Sequence, residues 1–151
     1  MLQRVLHANI VVGDLDRTLR FYRDLLGFKV AFAQTTDDPK LGETFGVKGG
    51  VRMRWALIRL GDDENAPFLD VEQWLQPEAV AGSYPSCNHV GICRIALQVA
   101  DIERTYNDLK GKGVEFLSSP QAVSLPEIGD FKLCCFRDPD GIVLELVQAS
   151  L

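Results

Sequence analysis

The chain has 151 residues, a quarter of them charged, and a formal net charge of −5. It therefore has no basic field to attract nucleic acid or an anionic membrane surface, and neither is expected as a partner. The length suits one domain, 1–151, able to bury roughly 68–70% of its unfolded surface without metal or disulfide staples.

In chain order, Ile10-Val11-Val12 reads as a first strand, and Gly13-Asp14 supplies a turn and a side-chain oxygen able to cap a helix. Leu15, Leu19, Tyr22 and Leu26 follow at helical spacing, with a short strand from Phe28 to Phe32 after them. Gln34 to Gly50 is polar and reads as a loop with a short helical turn, a candidate rim for a site. Two alternating stretches, Val51 to Leu60 and Phe68 to Trp74, read as strands separated by the turn Gly61 to Asn65.

Residues 77–88 carry prolines, glycine and serines with little periodicity and read as a linker between 1–76 and 89–151. The second half repeats the first. Val12, Asp14, Arg17 and Thr18 recur as Val99, Asp101, Arg104 and Thr105. The plan is Arg94 to Val99 as strand, a helix from Ile102 ended by Gly111 and Gly113, and a strand from Val114 to Leu117. A loop through Pro120 and Pro126 follows, then strand Phe131 to Arg137, the turn Asp138-Pro139-Asp140-Gly141 and strand Ile142 to Gln148. The expected fold class is α+β, with two tandem βαβββ modules forming a curved mixed sheet around a cleft and helices on the outside.

Strand alternation sorts the side chains. Ile10 and Val12 share an apolar face, while His7 and Asn9 share the other; in the repeat Ile95, Leu97 and Val99 oppose Arg94 and Gln98. Leu69 and Val71 flank Asp70 as Leu144 and Leu146 flank Glu145. His7, Asp70, Arg94 and Glu145 thus form a four-member set, one from the first and one from the last strand of each module. Asn9, Gln98, Arg54 and Glu72 join Arg94 as candidate substrate-binding groups, and Trp55, Trp74, Tyr84 and Phe136 are candidate aromatic contributors. Each has a plainer reading: a satisfied histidine for His7, a solvated strand face for Asp70 and Glu72, an ion-pair partner for Arg94, and core for the tryptophans. Cys87, Cys93, Cys134 and Cys135 form no C-x-x-C pair and read as reduced thiols that mostly pack.

Several motifs carry a family resemblance: H-x4-V-x-D-L-D from His7 to Asp16, the run Phe21 to Phe28, and Phe136 to Gly141 followed by Leu144-Glu145-Leu146. Together they resemble the vicinal oxygen chelate superfamily, which includes glyoxalase I, epimerases, extradiol dioxygenases, and fosfomycin- and bleomycin-resistance proteins. The resemblance implies a paired βαβββ architecture, often a homodimer, holding a divalent metal in the cleft and acting on a small oxygen-rich molecule.

Carried over position by position, the metal ligands fall on His7, Asp70 and Glu145, and the fourth position is Arg94. A histidine is typical there, and a guanidinium has no lone pair to give a metal. Two readings stay open. With Mg, Mn, Fe or Ni bound, the protein would be a lyase or isomerase of the glyoxalase type, Glu145 moving a proton as its catalytic group. Without metal, Arg94 supplies the positive charge of a non-catalytic small-molecule binding protein. An extradiol dioxygenase would want a second histidine ligand, which is absent.

No apolar run approaches the roughly 20 residues of a membrane span, and Met1 to His7 lacks a signal peptide's apolar core. A cytoplasmic protein is the expectation.

Overall fold

Two parallel strand pairings, each bringing a module's first strand against its last, set the architecture. The computed structural model describes residues 2–149. In the first unit, β1 (His7–Val11) pairs in parallel with β4 (Phe68–Gln76), which pairs antiparallel with β3 (Val51–Arg59), which in turn pairs antiparallel with β2 (Lys29–Asp38). In the second, β5 (Ile95–Gln98), β8 (Val143–Ala149), β7 (Gly129–Arg137) and β6 (Gln121–Leu125) repeat that order. The chain divides between Ala81 and Gly82, inside the expected linker. The fold is α+β with two modules. Each module's first strand pairs with its own last strand, giving two four-stranded mixed sheets.

Both connecting helices start as the repeat foretells. Asp14 accepts the Arg17 amide at 2.9 Å to open α1 (Leu15–Arg20), and Asp101 accepts the Arg104 amide at 3.0 Å to open α3 (Ile102–Gly111). A glutamine on the last strand of each unit adds a second tie: Gln73 Oε1 accepts the Leu15 amide at 3.2 Å, and Gln148 Oε1 accepts the Ile102 amide at 2.7 Å. The α1 segment continues through a π-helical turn, Phe21–Leu25, which seats Tyr22 fully buried and edge-on to Phe28.

Register places Ile10, Val71 and Ala56 on one face of the first sheet, and all are buried with Leu15, Thr18 and Tyr22. Leu144, Leu146, Phe136 and Cys134 do the same in the second with Ile102 and Leu109. This is the alternation read from the sequence. Phe136, a candidate binding aromatic, is fully buried against Phe116 and belongs to this core.

Two strands are placed differently from expectation. β2 runs on through Thr35, Thr36 and Asp37 to Asp38, because pairing with β3 as far as Val51 overrides the polar composition. A short helix, α2 (Pro39–Thr44), then opens on the Asp38 side chain. In the second unit Phe116 makes only an isolated bridge to Phe136, and the ladder resumes as β6 beyond Pro120, whose ring nitrogen carries no proton to donate. Among the described residues no helix is long and apolar enough to cross a membrane.

Candidate functional site

The opposite face of the first sheet forms a groove of ≈ 440 Å³, within the range of small-molecule sites. His7 and Asn9 on β1 and Asp70 and Glu72 on β4 make its floor. Their placement follows from register: Asn9 pairs with Asp70, and Glu72 with Trp55, so these side chains project together. Trp55, Met53, Leu41 and Phe45 supply apolar walls, and Gln34, Thr36 and Asp38 of β2 a polar edge. The sequence marked 34–50 as a candidate rim with a short helical turn but missed that Gln34 to Asp38 continue a strand; the alternation of Gln34, Thr36 and Asp38 was the available signal.

The floor is wired asymmetrically. Asn9 Nδ2 donates to Glu72 Oε1 at 2.6 Å and Asp70 Oδ2 at 3.1 Å, while Trp74 Nε1 donates to Glu72 Oε2 at 2.8 Å. Glu72, only 5% exposed, thus has both oxygens satisfied. Asp70 Oδ1 is buried with no hydrogen-bond partner. Burial raises the Asp70 pKa from 3.8, the Glu72 charge adds to the rise, and His7 and the Asn9 amide oppose it.

A carboxyl so raised holds its proton to higher pH in the folded chain than in the unfolded one. Stability therefore falls as pH climbs from 3.8 through the raised value. Asp70→Asn should raise Tm by a few degrees at neutral pH and give no gain below about pH 3, where folded and unfolded chains are both protonated. Thermal melts of both proteins across that range check it; an equal gain at every pH would assign the effect to packing. Function-bearing positions commonly carry such a stability cost.

Arg54 lies elsewhere. The alternation that puts Met53 and Trp55 in the groove puts Arg54 with Ala56 and Ile58 on the helix face. There its Nη2 and Nη1 donate to Asp16 Oδ1 and Oδ2 at 2.8 and 3.0 Å. The guanidinium is held by Asp16 of α1 and is not among the residues that line the groove.

In the second unit, Glu145 is 8% exposed and Arg94, just before β5, bonds it: Nε to Oε1 at 3.1 Å. Cys135 Sγ is 4.0 Å from the same oxygen, and Arg94 Nη1 is 3.6 Å from Cys93 Sγ. Burial, then the Glu145 charge, pushes the Cys135 thiol up, away from the reactive thiolate. Gln98 is exposed at the end of β5, and Tyr84 stacks on His89 at 5.9 Å in the segment leading to that strand.

These donors do not fit a divalent metal. Arg94 has no lone pair to give a metal, and its guanidinium already occupies the Glu145 carboxylate. Among the described residues no three His, Cys, Asp or Glu side chains stand close enough to share an ion.

Two βαβββ modules, one bearing an acid-floored groove, define a chain of the vicinal oxygen chelate class. Residues 4–146 match the Glyoxalase/Bleomycin resistance protein/Dioxygenase superfamily, and the chain belongs to it. It is 31% identical over 147 residues to a probable lactoylglutathione lyase of Synechocystis sp., covering 97% of this chain and 95% of that one. It is 25% identical over 145 residues to a 2-epi-5-epi-valiolone epimerase of Actinomyces sp., covering 94% and 77%. A glyoxalase family protein from Bacillus cereus shares the fold with a TM-score of 0.81 at 22% identity, covering 99% and 95%.

Proposed function

We propose that this protein is a glyoxalase-superfamily member that binds a small oxygen-rich molecule without a metal, Arg94 standing as the built-in cation. The observation that carries this is the Arg94–Glu145 contact at 3.1 Å. It neutralises the one carboxylate of the second unit that family resemblance makes a ligand, and fills the place of an imidazole with a group that cannot coordinate. A metal-dependent lyase or isomerase is the competing reading, favoured by the likeness to a probable lactoylglutathione lyase and by His7 and Asp70 sharing one groove. We take the protein to act as a cytoplasmic homodimer, on the support of the superfamily likeness; a monomer in sedimentation velocity would refute the dimer.

Elemental analysis after dialysis against Mn, Ni and Fe in turn separates the two readings. The wild type is expected to retain far less than one metal per chain, with His7→Ala no different. About one metal per chain, lost in His7→Ala, would overturn the metal-free reading and establish a centre through that imidazole.

A further inference from the structure

The groove of the first unit holds three carboxylates, Asp38, Asp70 and Glu72, one imidazole, and no lysine or arginine. Glu72 has its acceptors filled by Asn9 and Trp74, and Asp38 caps the Lys40 amide at 2.8 Å. Asp70 is the exception, with Oδ1 exposing less than 1 Å² and accepting nothing. A carboxylate so desolvated and under-bonded lacks a donor that brings positive charge. Beside it, Trp55 and Phe45 form an aromatic wall, and ring faces attract cations as well as apolar groups.

From this juxtaposition we infer that the groove takes an organic cation, a primary ammonium on an apolar body, with the ammonium on Asp70 and the body against Trp55 and Phe45. Reaching the buried Asp70 Oδ1 requires the carboxyl to turn about its last torsion, which moves both oxygens together and shifts the Asn9 contact on Oδ2, 3.1 Å long. Acidic ligands are disfavoured, since the lining offers them no fixed cation. The inference concerns the first unit's groove alone and goes beyond the oxygen-rich ligand and Arg94 cation proposed above.

The test is calorimetric titration in chelator-containing buffer with three probes of one shape: phenethylamine, 2-phenylethanol and 3-phenylpropanoate. The amine should bind about ten- to a hundredfold tighter than the alcohol, with the acid weakest. Asp70→Asn should abolish most of the preference for the amine, and Trp55→Leu should weaken amine and alcohol alike. Three probes binding alike, no probe binding at about 10 mM, or an amine preference that survives Asp70→Asn would overturn the inference. If Asp70→Asn does not fold, the wild-type ranking and Trp55→Leu decide alone.

Metal content of the same preparations is scored separately. A metal-bearing protein that still prefers the amine overturns only the metal-free reading. A metal-free protein indifferent to probe charge overturns only this inference.

Discussion

Replacing Arg94 by methionine is expected to cost about 1–3 kcal/mol of folding stability. The substitution keeps an aliphatic stem and removes the guanidinium from the Glu145 carboxylate, which is 8% exposed and has the Cys135 thiol 4.0 Å away. The figure sits below that for a fully buried pair because the Arg94 side chain is 43% exposed and solvent screens part of the attraction. Urea denaturation of wild type, Arg94→Met, Glu145→Gln and the double variant closes the cycle. The double variant should recover much of the loss, because the orphaned charge goes with the guanidinium. Equal stability of Arg94→Met and wild type would show that the pair is a surface contact of no energetic weight, and would remove the main support for Arg94 as the built-in cation.

The other large effect belongs to Glu72. Its carboxylate is buried on the groove floor and accepts both the Asn9 amide at 2.6 Å and the Trp74 indole at 2.8 Å. Glu72→Ala strands two donors and opens a hole beneath β1, a loss of roughly 2–4 kcal/mol. Glu72→Gln keeps an acceptor for one of them and should lose much less. Denaturation midpoints of the two variants measure the difference. The contrast with Asp70 separates two neighbouring acids: removing the Glu72 charge should destabilise the chain, whereas removing the Asp70 charge should stabilise it at neutral pH. If both variants move stability the same way, the division into a structural and a ligand-facing carboxylate fails.

That division was not legible in the sequence. Asp70 and Glu72 are two residues apart on one strand, and alternation assigns them the same face. Only the arrival of Asn9 from β1 and of the Trp74 indole decides which of them is satisfied. Arg54 is a similar case. The sequence left it a candidate for the cleft, and its partner, Asp16, lies 38 residues away on α1 and leaves no local trace.

What the sequence determined by itself is what short-range rules encode. The repeat around Asp14 and Asp101 marks two helix starts, because a side-chain oxygen one residue before a helix can satisfy a bare amide there. The period-two apolar runs choose the buried face of each sheet. Asp138 to Gly141 forms the expected turn, with Asp138 Oδ1 accepting the Asp140 and Ile142 amides at 2.9 and 2.8 Å.

The tertiary structure alone decided the rest. The extension of β2 through Asp38 and the transfer of the second module's ladder to Gln121–Leu125 were set by pairing with β3 and β7, not by the composition of those segments. The seating of Arg94 on Glu145 and the unpartnered oxygen of Asp70 depend on groups that strand pairing brings together from distant parts of the chain. Local periodicity fixes which way a side chain points; only long-range pairing fixes what it meets.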